Sequence, residues 1–548
     1  MWNQLLLQSL LVNKATPLIF IYYRHKLKKQ LSKLKAITPK YGFDMDSHLR
    51  PSYALKPLIV ASSLIVSVVL TTLGAHAAPD LPSGEHATKD VDITQPIKAL
   101  DNLSSLKNEK KLDFSIPKFQ HFTTSNGVPV IFFQTNQLPI VDVDLRFNAG
   151  SARDESIRKD GFGLASMVAD LLTKGTKQLD ETAFAEATEQ LGIELGSAAY
   201  KDQFVINLRS LSESDKLDPA LKLLSEVLNE PRYEAKVLER SKAQQILGLK
   251  QMMQNPSYLA NITFNKTLYG SHPYAHSSYG TIDSIPNLEI KDLQCFHDTY
   301  LVAQNASLSL TGDLTLEQAK QAAETITRQL NQGKPAPKLP QPTPIKSSKW
   351  VHVDYDSDQT SVVIGQQGHS VSVDPTQLQR RSDFSIGNEI LAGSGFNSRL
   401  MGKIRKEMGY TYGIYGSMTA MQVPGPYTIN FSTRNEKADE AIKATLQTVE
   451  ETLKQGVTAD EFKLTQESLI NSYPMGFSSN AGINGMLGAL NFNKLPDSYL
   501  TNYIDRVENS SVKQVNTALQ ETLTPDKFII VTVGKPDIAK NSELNKLK

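Results

Sequence analysis

Cysteine is almost absent from this 548-residue chain: Cys295 is the single one. One thiol excludes an intrachain disulfide and any cysteine-based zinc site, and it leaves the compartment open. An excess of one charge sign is missing too. Lys and Arg number 58 and Asp and Glu 57, for a net charge of +1, so nothing marks the chain for nucleic acid or an acidic partner. Carboxylates are absent from residues 241–281, a gap that matters below. Spacing alone supports no Ser-His-Asp or Cys-His arrangement. Cys295 lies near His297 without the further ligands a site requires.

Apolar residues make up 40% and aromatics 7%, ordinary for a globular chain, and the length suggests about two to four domains. Residues 57–79 carry no charge. Arg50 and Lys56 precede an apolar run at 58–73, and Ala75-His76-Ala77 follows it. These are the three parts of a secretory signal, with the cut expected after Ala77. The same run also fits an uncleaved membrane anchor. An export signal belongs at the start of a chain, so Met45 is a better start than Met1. Residues 1–77 are thus read as an N-terminal extension with signal or anchor, and the bulk of the chain is expected in the periplasm or cell envelope. Residues 78–118 are polar and read as a tether.

Two similar halves follow. In the first, 119–332, Asn126-Gly127 separates two β-prone runs, a hairpin signal. Val141, Val143, Leu145 and Phe147 alternate with Asp142, Asp144 and Arg146, the pattern of a half-buried strand. Helices are expected at 180–191, with Asp180 as N-cap, and at 217–228, 234–253 and 316–330. Strands are expected near 203–211 and 306–310. Residues 333–348 hold Pro335, Pro337, Pro340, Pro342 and Pro344, and read as an extended linker. The second half, 349–540, repeats the order. Strands are expected near 361–365, 412–419, 427–432 and 528–533, and helices near 377–391, 437–455, 460–472 and 511–522. Strands with long helices on one side give an α+β class, two two-layer sandwich domains of similar design.

Residues 161–176, GFGLASMVADLLTKGT, place Leu164, Met167, Val168, Leu171 and Leu172 on one helical face. The stretch also resembles the active-site helix of the pitrilysin/insulinase family, the zinc peptidases with an inverted motif, which include the mitochondrial processing peptidases. Three further stretches carry the resemblance in order: 264–280, 296–313 and 391–417. In that family H-x-x-E-H supplies two zinc-binding histidines and a general base. The matching positions here are Ser166, Ala169 and Asp170. The family's third ligand, a Glu, falls near residues 245–248, inside the stretch without carboxylates. The resemblance therefore implies no metal and no cofactor in this chain. His272 and His276 have helical ligand spacing, but Gly270 and Pro273 argue against a helix, and the pair reads as structural.

In the family's second half, an Arg and a Tyr seven residues apart contact the substrate backbone and the oxygen on which charge develops. Arg405 and Tyr412 match them. The resemblance thus implies a chain predicted inactive alone, with substrate-binding residues retained and catalytic ones lost. Its partner would be a catalytic subunit with an intact H-x-x-E-H motif, holding zinc and acting on peptides. The alternative is a non-enzymatic binding or scaffold protein that keeps the fold.

Overall fold

A computed structural model describes residues 114–116 and 118–535. The signal or anchor at 57–77, the cut after Ala77, both candidate starts and nearly all of the tether lie outside the described residues.

Gly127 takes φ 82°, a conformation that glycine adopts without strain. It turns strand β1 (Gln120–Thr123) into an antiparallel pair with β2 (Pro129–Gln134). Strand β3 (Ile140–Phe147), helices α1 (Leu164–Leu172) and α2 (Glu181–Leu191), and strands β4 (Glu194–Ala199) and β5 (Phe204–Leu211) follow. Asp180 caps α2 as its sequence predicts, its carboxylate accepting from the Ala183 N–H. Helices α3 (Ser214–Asn229), α4 (Ala235–Met252), α5 (Pro256–Tyr269) and α6 (Ile290–Tyr300) lead to strand β6 (Ala306–Gly312) and helix α7 (Leu316–Thr327). The six strands lie in the order β1-β2-β6-β3-β5-β4.

Residues 333–348 form neither helix nor strand, as five prolines dictate. Then come β7 (Lys349–Asp354), β8 (Gln359–Gln367), α8 (Pro375–Ala392), a π-helix at Met401–Glu407, β9 (Ile414–Met418) and β10 (Pro426–Arg434). Helices α9 (Ala438–Gln455), α10 (Ala459–Ser472), α11 (Asn480–Phe492) and α12 (Val512–Thr522) precede strand β11 (Ile529–Gly534). The second sheet has the order β7-β11-β8-β10-β9. Two mixed sheets, each backed by helices, make the α+β class expected. Strands β4 and β7 and helices α5, α6 and α11 are not among the elements expected from the sequence.

The halves interlock by exchanging a helix. Helix α5 of the first half packs on β11 and β8 of the second sheet. Its Phe264 is 1% exposed and shares a core with Val363, Ile529 and Val531. A Cβ at Gly365 would lie 2.0 Å from the Tyr427 carbonyl oxygen of β10 and 3.0 Å from Phe264 Cζ, so only glycine fits where β8, β10 and α5 meet. In return, α11 of the second half packs on β6, β3 and β2. Its Leu487 and Leu490 share a core with Ile131 and Phe133. Each fully buried side chain of this size contributes about 1.5–3 kcal/mol.

This exchange corrects the half-buried reading of β3. Asp142 and Asp144 are 6% and 4% exposed, because α11 covers the face they occupy. Asp144 is satisfied by a bidentate pair with Arg146, both contacts at 2.7 Å. Arg146 also donates to the Gly485 carbonyl of α11. A Cβ at Gly488 would lie 2.9 Å from both members of that pair, so glycine lets the helix settle over buried charge.

Candidate functional site

The site region of the first half is built on α1. Its apolar stripe, Leu164, Met167, Val168, Leu171 and Leu172, lies in the first core at 0–1% exposure. Its N-terminus is held from outside the helix. Asp154 accepts from the Gly163 and Ala165 N–H groups, at 2.8 and 2.9 Å. Gly163 has φ 91°, and a side chain there would meet Ile285 and the Gly280 backbone. Burial pushes the Asp154 carboxyl up to about 7, against the pull of those two N–H donors.

Ser166 is half-buried, Ala169 is 4% exposed and Asp170 faces out. The Asp170 carboxylate accepts from Ser241 Oγ of α4 at 2.5 Å, and Ser197 Oγ of β4 donates to the Ala169 carbonyl at 2.6 Å. One turn beyond Ser241, Gln245 Nε2 donates to the Tyr279 carbonyl. The window near 245–248 thus lies on the helix that packs against α1, but it presents an amide. A serine, an alanine, one aspartate and a glutamine do not fit zinc, which takes three protein ligands from His, Cys and carboxylate. Among the described residues no group of three His, Cys, Asp or Glu could hold a metal.

The remaining histidines have other tasks. His272 Nδ1 accepts from the Tyr274 N–H, so its Nε2 donates to the Pro340 carbonyl of the linker. Pro273–Ala275 is a single 3-10 turn, which keeps His272 and His276 off any common helix. His276 stacks on Phe162 with ring centroids 3.6 Å apart. His297 is buried and bonds the Leu228 carbonyl and Asp298.

Beside α1 runs a strand edge that is unpaired among the described residues, which the sequence did not reveal. Strand β4 is the last of its sheet. Tyr200 N–H donates to the Gln203 carbonyl, and the register pairs Ala199 with Phe204 and Ser197 with Ile206. Antiparallel alternation then points the N–H and C=O groups of Leu195, Ser197 and Ala199 outward. Strand β9 is the corresponding edge of the second sheet, and two of its outward groups are engaged. Asn388 Nδ2 donates to the Gly416 carbonyl at 2.9 Å, and the Ile414 N–H meets Met401 Sδ at 3.5 Å.

Arg405 and Tyr412 flank the start of β9. The π-helix carries Arg405, whose guanidinium lies over the Phe396 ring at 4.6 Å from its centroid. Among the described residues no carboxylate pairs with it. Tyr412 is 86% exposed and lines an open cleft of about 350 Å³ with Gln359, Thr411, Gly413, Tyr415 and Ser432. Arg405 and Tyr412 thus belong to the second half, while Ser166, Ala169 and Asp170 sit over the first sheet.

Two family models match in this order. Residues 130–281 match "Insulinase (Peptidase family M16)", and residues 287–469 match "Peptidase M16 inactive domain". The chain is 38% identical to a solved peptidase M16 inactive domain from Pseudomonas fluorescens, with a TM-score of 0.72, over 76% of this chain and 98% of that one. It is 26% identical to the non-peptidase homolog YmxG of Helicobacter pylori, over 75% of this chain and 93% of that protein. The first half of the periplasmic protease PqqL from Escherichia coli shares the fold at 15% identity and a TM-score of 0.65, over 79% of this chain and 96% of that one. The chain thus belongs to the insulinase family of peptidases, M16, and is similar to members described as inactive.

Proposed function

We propose that this chain is the non-catalytic, substrate-binding subunit of a two-chain zinc peptidase that acts on peptides in the cell envelope. The observation that carries the reading is the state of Arg405. It is a cation with five N–H donors, no paired carboxylate among the described residues and one aromatic support, the Phe396 ring. A guanidinium held this way suits a peptide carbonyl on which charge develops. The zinc and the general base would come from a partner chain with an intact H-x-x-E-H helix. The open edge of β4 adds a second contact, since an extended peptide can pair with outward N–H and C=O groups. Export rests on the signal-like segment at 57–77, and mass spectrometry of the mature N-terminus checks the cut after Ala77. The domain limits 119–332, 333–348 and 349–540 belong to the same reading.

Co-purification with a chain carrying the zinc motif tests the pairing. Peptidase activity is expected on mixing only, with zinc in the partner and none above trace in this chain alone. The rival reading is a binding or scaffold protein without a peptidase partner. The β4 edge favours it, because strand pairing needs no chemistry. A stable homodimer that binds peptides, together with no gain of turnover on mixing, would decide for that rival.

A further inference from the structure

The cleft beside Tyr412 owes its shape to one missing side chain. Extending the β9–β10 register by one residue places Gly413 opposite Ser432. Tyr415 lies two residues on, on the same face of the strand. A Cβ built on Gly413 would lie 2.7 Å from Tyr415 Cε2 and from its hydroxyl oxygen. Glycine therefore opens the floor, and the Tyr415 ring folds over it as a wall.

The other walls are uncharged. Thr411 Oγ1 donates to the Gly413 carbonyl and accepts from the Gly413 N–H, which fixes the turn that carries Tyr412. Ser432 Oγ bonds Ser361 Oγ, which reaches Ser257 of α5. Gln359 completes the far side with an exposed amide. A volume of about 350 Å³ is small among ligand sites, which span about 300–1,000 Å³. It suits one large side chain. Two tyrosine rings and an amide, with no cation or carboxylate among the lining residues, favour a planar neutral group over a charged one.

Resting on the peptide-binding reading above, we infer that this glycine-floored cleft is a specificity pocket for one aromatic side chain of an extended peptide. Ring stacking on Tyr415 and Tyr412 supplies attraction, and the uncharged walls select against acidic residues, whose carboxylate would lose water without gaining a cation. The β9 edge is already engaged by Asn388 and Met401. The second sheet would therefore read a side chain in this cleft rather than pair with the peptide backbone.

Fluorescence anisotropy of the full chain with three labelled unstructured peptides, identical except for one central Phe, Ala or Asp, tests the inference. The Phe peptide is expected to bind at least tenfold tighter than the Asp peptide. Gly413→Ala and Tyr415→Ala should each reduce that ratio to below threefold. Gln359→Glu, an exposed change that leaves the floor intact, should widen the gap against Asp further. Arg405→Ala should weaken all three peptides by a similar factor and keep their ratio. Equal binding of the three peptides by the wild type, with Arg405→Ala still weakening them, overturns the pocket and leaves the substrate-binding role standing. A Phe preference unmoved by Gly413→Ala, Tyr415→Ala and Gln359→Glu places the selectivity elsewhere and also overturns the pocket. Absence of binding to every peptide overturns both.

Discussion

The two halves share a plan and differ where function would lie. Each has a mixed sheet, a helical layer and two edge strands. In the first half the edge, β4, presents unpaired backbone groups, while the helix beside it has no metal ligand set. In the second half two outward groups of the edge, β9, are met by Asn388 and Met401, while Tyr412 lines a cleft and Arg405 lies over the Phe396 ring. Backbone pairing capacity and side-chain chemistry have been divided between halves. On the proposed reading, each half would offer a peptide a different kind of contact.

The comparison can be broken first at the exchanged helices. Phe264→Ala empties a buried site between the halves and should cost about 3–5 kcal/mol. Denaturant unfolding followed by probes in each half should show one shared, lowered midpoint. Separate transitions would show halves that stand independently.

Acid distinguishes the halves in the opposite sense. In the first, burial raises the Asp154 carboxyl from the ordinary carboxylate range to about 7. The folded state binds its proton more tightly, so this group's contribution to stability rises as pH falls from about 7 to about 4. In the second, Glu461 is lowered to about 2, chiefly by hydrogen bonds from Arg399. That stability is present above the unfolded value and is lost as pH falls from about 5 towards 2. Unfolding midpoints against pH should flatten in the upper window for Asp154→Asn and in the lower one for Glu461→Gln. The same window for both variants would contradict the assignment.

Smaller changes sharpen the edge and its counterpart. Ala199→Pro removes one outward N–H of β4 and should weaken peptide binding by about 1 kcal/mol, or five- to tenfold in anisotropy. Phe396→Ala removes the ring under Arg405 and should cost about 0.5–1 kcal/mol of the same binding, with Phe396→Trp restoring it.

Much of this was legible because it is local. Asn126-Gly127 announces a turn, the proline run announces a segment without helix or strand, and the stripe on 161–176 announces a core helix. The missing ligands were equally plain, and the structure puts Gln245 on the helix facing α1. What was not legible depends on distant partners. Asp142 and Asp144 read as solvent-facing because the helix that buries them lies far along the chain, with Arg146 and Gly485 separated by 339 residues. The sequence of α11, NAGINGMLGALNF, has three glycines, which read as helix-weakening until the close approach of Gly488 to Asp144 and Arg146 of the first sheet is seen. Strand β4, ELGSAA, has no β-branched residue, so the open edge left no signal. Nor does TYGIYG reveal that Gly413 is the floor of a cleft rather than part of a plain strand.

The central claim is that the second half supplies Arg405 to a peptidase site completed by another chain. Turnover of a peptide by the mixed complex, with wild-type chain against Arg405→Ala, tests it most directly. A fall of about 10²-fold in kcat with the complex intact is the result expected when a transition-state donor is removed. Unchanged turnover in an intact complex would contradict the claim.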